Sequence, residues 1–213
     1  MKTLAAGAWL AVALCFGGEC SAWNSVADFE CAATNALDDF NILISTDFGN
    51  ELTNYIAVAK DHESQIAAQL VLGERYLASF NETLNEGCLR SALGVASNVW
   101  ELTRTEVDAW YSWYARLSLS TCLAQNGQVE QAYDVISNAV SDMGTRCVAT
   151  ENIISAALLK RNKVQDLSIG KSITLAKALL AARLKKKDEA TILASTLPEK
   201  YREMVNRLLG NLP

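Results

Sequence analysis

The chain has 213 residues, half of them apolar, and carries a formal net charge of −5. That length can bury a sizeable core in a single domain, and that apolar share excludes a disordered chain. Two prolines and 11 glycines, beside abundant Ala and Leu, point to an all-α fold.

Lys2 supplies a short positive start, and Leu4 to Phe16 is an apolar run of the length a secretory signal needs. Cys20 and Ala22 place small residues at the −3 and −1 positions, so residues 1–22 read as a signal peptide cleaved before Trp23. The run is short for a bilayer, and no later stretch of about 20 apolar residues follows, so no membrane span is expected. Acylation of Cys15 or Cys20 is the weaker alternative, because Leu14 and Glu19 suit a lipidated cysteine poorly. The expectation is an exported protein, periplasmic or secreted. Cys31, Cys88, Cys122 and Cys147 would then sit in an oxidising compartment. Their spacings of 57, 34 and 25 residues fit no zinc motif. Disulfides are expected rather than a metal or cofactor, with buried free thiols as the bland alternative.

Val26, Phe29, Ala33, Leu37 and Phe40 recur at helical spacing and predict a helix from Ser25 to Ile44. Ser45-Thr46-Asp47 is a turn and N-cap signal ahead of a shorter helix that buries Leu52, Tyr55, Ile56 and Ala59. Asp61 opens a third helix running to about Phe80, and Asn81-Glu82-Thr83, formally a glycosylation sequon, reads as loop or cap. From Trp110 the pattern Trp110, Trp113, Tyr114, Leu117 marks a helix that Asn126-Gly127 stops, since glycine takes the left-handed cap conformation freely. Thr150-Glu151-Asn152 opens a further helix, Asp166 to Gly170 is a break, and Ser172 to Lys187 is strongly helical. Asp188 is read as the cap of a short helix, and Pro198 as the first turn of a last one ending at Gly210. The total is about nine helices.

The central order of Leu119, Ser120, Leu123, Gly127, Ala132, Ile136 and Ala139 resembles a tetratricopeptide (TPR) helical hairpin. It departs from the family in carrying Arg116 where an early Trp is usual, and in lacking the closing Pro. Leu72-Gly73-Glu74-Arg75-Tyr76 is similar to the start of a second such unit. Its partner residues Ala92, Ala96 and Val99 arrive seven residues late, which an extra turn on each arm would absorb. Ala190 would serve a third, terminal unit. The resemblance implies stacked antiparallel hairpins, an α-solenoid over residues 23–213. It implies a groove lined by Tyr114, Leu117, Thr121, Ala124 and Gln125, together with Ala67, Leu70, Glu74 and Leu77. The Lys/Asn pattern that clamps a peptide carboxylate is missing from those positions, so an apolar or helical ligand is the better expectation. In that hairpin register Cys88 and Cys122 fall at the same end of neighbouring units and are the expected disulfide.

Charge is uneven. Residues 22–150 carry a net −11 and residues 151–213 a net +6. Such a chain can close on itself, stack head to tail, or offer its basic part to an anionic partner. The run Lys185-Lys186-Lys187 reads first as a solvated helix C-terminus. Chemistry is thin: there is no Gly-rich phosphate loop, no Gly-x-Ser-x-Gly and no His-Glu-x-x-His, and His62 is the sole histidine. A non-catalytic protein- or peptide-binding scaffold for an envelope assembly is therefore expected. A compact helical subunit without a groove comes second, and an unrecognised helical hydrolase or lyase last. The aromatic cluster of Trp100, Trp110, Tyr111, Trp113 and Tyr114 exceeds one buried stripe. It predicts a helix buried on both faces, or else a partly groove-lining one.

Overall fold

The computed structural model describes residues 23, 25–106, 109–143 and 152–210, with the backbone alone over 139–143. The signal-peptide and cleavage expectations, Cys15, Cys20 and Cys147 lie outside the described residues. Within them every regular element is helical. The helices are α1 Val26–Asp38, α2 Phe40–Ile44, α3 Thr46–Val58, α4 His62–Thr83, α5 Glu86–Thr103 and α6 Trp110–Gln125. They continue as α7 Val129–Met143, α8 Ile153–Arg161, α9 Ile169–Arg183, α10 Lys187–Ser195 and α11 Glu199–Gly210.

Eleven helices among the described residues exceed the nine or so expected, and Asp39 accounts for one of them. Its extended backbone ends α1, while its carboxylate accepts from the Asn41 and Ile42 amides and starts α2. Ser168, inside the expected break, caps α9 through the Lys171 amide, so that helix begins three residues before Ser172. Asp188 lies within the first turn of α10 rather than at its cap. Asn81 to Thr83 is the last, exposed turn of α4 and not a loop.

Chain neighbours α4 and α5, α5 and α6, α6 and α7, and α9 and α10 share the broadest contacts, and α9 packs on both α7 and α6. The seven extra residues of the earlier unit appear as added helix. α4 and α5 run 22 and 18 residues against 16 and 15 in α6 and α7. Small residues set the closeness of the α6–α7 pair. Ala132 is fully buried, and Ser120 Oγ donates to the Ala132 carbonyl at 3.0 Å. At Gly73, the matching position of α4, a Cβ would meet only Val95 at 3.6 Å. A serine is therefore tolerated where the earlier unit has glycine.

α6 is the centre of the molecule. Twelve of its 16 residues are buried, among them Trp110, Tyr111, Trp113 and Tyr114, while Trp100, the cluster's fifth member, is half-buried on α5. The Arg116 guanidinium stands where the resemblance led one to expect Trp. It lies 4.6 Å from the Trp100 ring centre and 5.0 Å from that of Trp113. A flat cation stacks on aromatic faces much as another ring would. The N-terminal end has its own aromatic contact: Trp23 is buried and its ring lies 5.6–5.9 Å from those of Phe29, Phe48 and Tyr55.

α8 breaks the neighbour-to-neighbour order by packing against α1. Lys160 Nζ meets Asp38 at 2.7 Å, while Arg161 donates to the Leu37 carbonyl and lies 5.5 Å from the Phe40 ring centre. The acidic and basic parts of the chain thus meet within one molecule.

The Lys185–Lys187 run spans the α9–α10 turn instead of ending a solvated helix. Lys185 has φ +60°, its amide bonds to the Ala182 carbonyl, and the Lys186 amide reaches the Ala181 carbonyl. The same two-bond cap closes α6 around Gly127 (φ +80°) and α8 around Lys163 (φ +58°). Lys186 lies 3.6 Å from the Tyr133 ring centre, and all three lysines of the expected anionic-partner surface are exposed.

The expected Cys88–Cys122 disulfide is not formed. Cys31, Cys88 and Cys122 are free thiols. α5 lies on the side of α6 where Ser112 Oγ donates to the Thr103 carbonyl and Arg116 meets Trp100. Cys122 stands instead on the Ser118 side toward Glu74, and burial pushes its thiol up to about 12.

Candidate functional site

The face of α6 carrying Tyr114, Leu117, Ser118 and Thr121 follows the i, i+3, i+4, i+7 spacing. α9 repeats that spacing with Ser172, Leu175, Ala176 and Leu179. These two faces, Glu74 from α4, and Asn162 and Val164 from the α8–α9 turn bound a cleft of about 170 Å³. Glu74 and Tyr114 form its floor, at 6% and 1% exposure. Leu117, Thr121, Ala176 and Leu179 are half-buried and Asn162 is exposed, which places the mouth on their side.

A hydrogen-bonded triad closes the floor. Tyr114 Oη donates to Glu74 Oε1 at 3.1 Å. Asn162 Nδ2 donates to Tyr114 Oη at 2.9 Å and approaches Glu74 Oε1 at 3.4 Å. Asn162 holds this position because it caps α8, donating also to the Leu158 carbonyl. Burial lifts the Glu74 carboxyl above the ordinary carboxylate range, outweighing the hydrogen bonds from Asn162 and Tyr114 and the charge of Arg161. Burial beside Glu74 likewise drives the Tyr114 hydroxyl well above the usual phenol range.

Four expected groove residues, Glu74, Tyr114, Leu117 and Thr121, meet in this one cleft. Leu70 does not join them: at 1% exposure it is packed in the core. Gln125 is exposed in the last turn of α6, outside the lining, and Ala67 and Leu77 are core. Sequence reasoning missed Asn162 and the whole α9 wall. The signal was present in the spacing of Ser172, Leu175, Ala176 and Leu179, which copies that of α6.

A second polar cluster joins the starts of α4, α6 and α8. His62 Nε2 lies 3.0 Å from Glu106, whose other oxygen accepts from the Tyr111 hydroxyl. Glu63 Oε1 accepts from Trp110 Nε1 at 2.7 Å and Asn152 Nδ2 at 3.2 Å. His62 therefore pairs with a residue 44 positions away along the chain. Among the described residues no three His, Cys, Asp or Glu side chains are grouped to hold a metal ion, and no helix is long and apolar enough to cross a membrane. Compared with protein-family models, curated proteins and solved structures, the chain matches none of them.

Proposed function

We propose that the chain is an exported, non-catalytic scaffold of stacked TPR-like hairpins that holds a protein or peptide partner in the α4–α6–α9 cleft. One observation carries the reading: four residues marked as groove-lining by the resemblance line a single cleft, with buried polar groups on its floor and apolar walls. The pairs α4/α5, α6/α7 and α9/α10 would be the repeating units, with α11 covering the last. A cleft of 170 Å³ suits a side chain or a short segment rather than the whole helix the sequence suggested. Export rests on the apolar run from Leu4 to Phe16 with small residues at Cys20 and Ala22, and an envelope assembly is the setting such a scaffold would serve.

The test is affinity capture from an envelope extract of the source cell. The mature chain is compared with Thr121→Arg, which projects into the mouth, and Asn138→Arg, on an exposed position of α7. The partner should be retained by Asn138→Arg and lost by Thr121→Arg, with unchanged melting temperatures. Equal capture by both variants would overturn the reading. Mass spectrometry of the exported protein should find Trp23 at its N-terminus.

A further inference from the structure

The two hydrogen bonds to the Glu74 carboxylate fall on one oxygen, Oε1. Among the described residues no donor reaches Oε2, and no cation forms an ion pair with the group. Arg161 acts on Glu74 only through its charge, its guanidinium being engaged by the Leu37 carbonyl and the Phe40 ring. A carboxyl group this deep in the fold, with one oxygen open only to the cleft and no cation in contact with it, is costly to keep. The walls above it are Leu117, Val164, Leu175 and Leu179. A dry cavity of about 150 Å³ accommodates a six-carbon ring. The space here, 170 Å³, therefore admits an unbranched chain of similar bulk.

We infer that this cleft is a binding site for a primary alkylammonium group, whose nitrogen donates to Glu74 Oε2 while its methylenes lie along Leu117, Leu175 and Leu179. The ligand would supply the direct cation contact that Arg161, acting only from a distance, does not make. An anion would meet the carboxylate, and a guanidinium fork wants two free oxygens where only one is left. The hydroxyls of Ser118 and Ser172, on the same lining, are acceptors for the remaining N–H groups. The same chemistry is presented by a free alkylamine and by a lysine side chain. This inference rests on reading the cleft as the binding site of the proposed scaffold, and names what that site recognises.

The experiment is isothermal titration of the full mature chain with n-pentylamine and with n-pentanol, which has the same chain but no charge. A blocked pentapeptide with a central lysine is titrated beside its norleucine counterpart. Pentylamine should bind, pentanol at least tenfold more weakly, and Glu74→Gln should lose that tenfold preference while melting as a folded protein. Ala176→Leu, which narrows the cleft from α9, should weaken both ligands and serves if the Glu74 variant fails to fold. Binding of the lysine peptide in competition with pentylamine assigns the group to a partner's side chain, and binding of pentylamine alone assigns it to a free amine. Equal affinity for amine and alcohol, an undiminished preference in Glu74→Gln, or no amine binding by the folded wild type would overturn the inference. Those outcomes leave the scaffold standing if Thr121→Arg still abolishes partner capture. Amine binding with capture unaffected by Thr121→Arg would instead remove the scaffold reading alone.

Discussion

Two tyrosines one turn apart on α6 each donate to a glutamate, and the two carboxylates respond in opposite directions. Tyr114 meets Glu74 inside the molecule, whereas Tyr111 meets Glu106 at its edge, where His62 also approaches. The donors are alike. Glu74 has lost most of its water, and its carboxyl rises above the ordinary value; Glu106 keeps much of its hydration, and the Tyr111 hydrogen bond and His62 pull it below. A hydrogen bond stabilises a carboxylate in both places, but only depth decides whether that stabilisation exceeds the desolvation. The inner pair is thus the one suited to receive a cation, and the outer pair is already satisfied.

The largest expected effect separates the two tyrosines. Tyr114→Ala removes a buried ring from the cleft floor and should cost about 3–5 kcal/mol in denaturant unfolding. Tyr111→Ala, nearer the surface, should cost less, and equal losses would break the comparison. Ala132→Leu supplies a core yardstick beside it. Overpacking the α6–α7 contact where Ser120 meets the Ala132 carbonyl should cost about 1–3 kcal/mol.

The pH dependence of stability sharpens the contrast. With its folded value raised above 4.5, Glu74 keeps its proton longer folded than unfolded, so its penalty is absent at low pH and grows as pH climbs from about 4.5 through the folded value. Glu74→Gln should therefore gain on wild type as pH rises. Glu106, lowered in the fold, contributes stability above 4.5 and loses it as pH falls through its folded value. The deficit of Glu106→Gln should accordingly shrink on acidification. Urea midpoints measured from pH 3 to 8 read both trends, and parallel curves would refute the depth argument.

Two small effects complete the series. Lys185→Gly relieves a side chain from φ +60° and should raise stability by about 1 kcal/mol, read by thermal melts. His62→Ala should change it by less than about 1 kcal/mol, because its Glu106 contact is solvated. A larger loss would mean that the outer cluster helps hold α4 on α6.

The sequence by itself determined the helices and most of their ends. Apolar residues at helical spacing, caps such as Ser25, Ser45 and Asp61, and the Gly127 stop are all interactions within four residues of one another. The longer arms of α4 and α5 were legible for the same reason, as a seven-residue delay between matching small residues. Part of the cleft was legible too, in Glu74, Tyr114, Leu117 and Thr121. Only the tertiary structure decided that α8 turns back onto α1 and that the aromatic start of α6 is buried. It alone decided that Cys88 and Cys122 stay free, and that Lys163 and Lys185 occupy caps usually given to glycine. It also supplied the far wall. Asn162 reaches Tyr114 across 48 residues and Glu74 across 88, and α9 meets α6 at a distance no local pattern reports. Short-range spacing says which face of a helix is apolar, but what covers that face depends on how distant helices cross, and the crossing is set by the whole packed core.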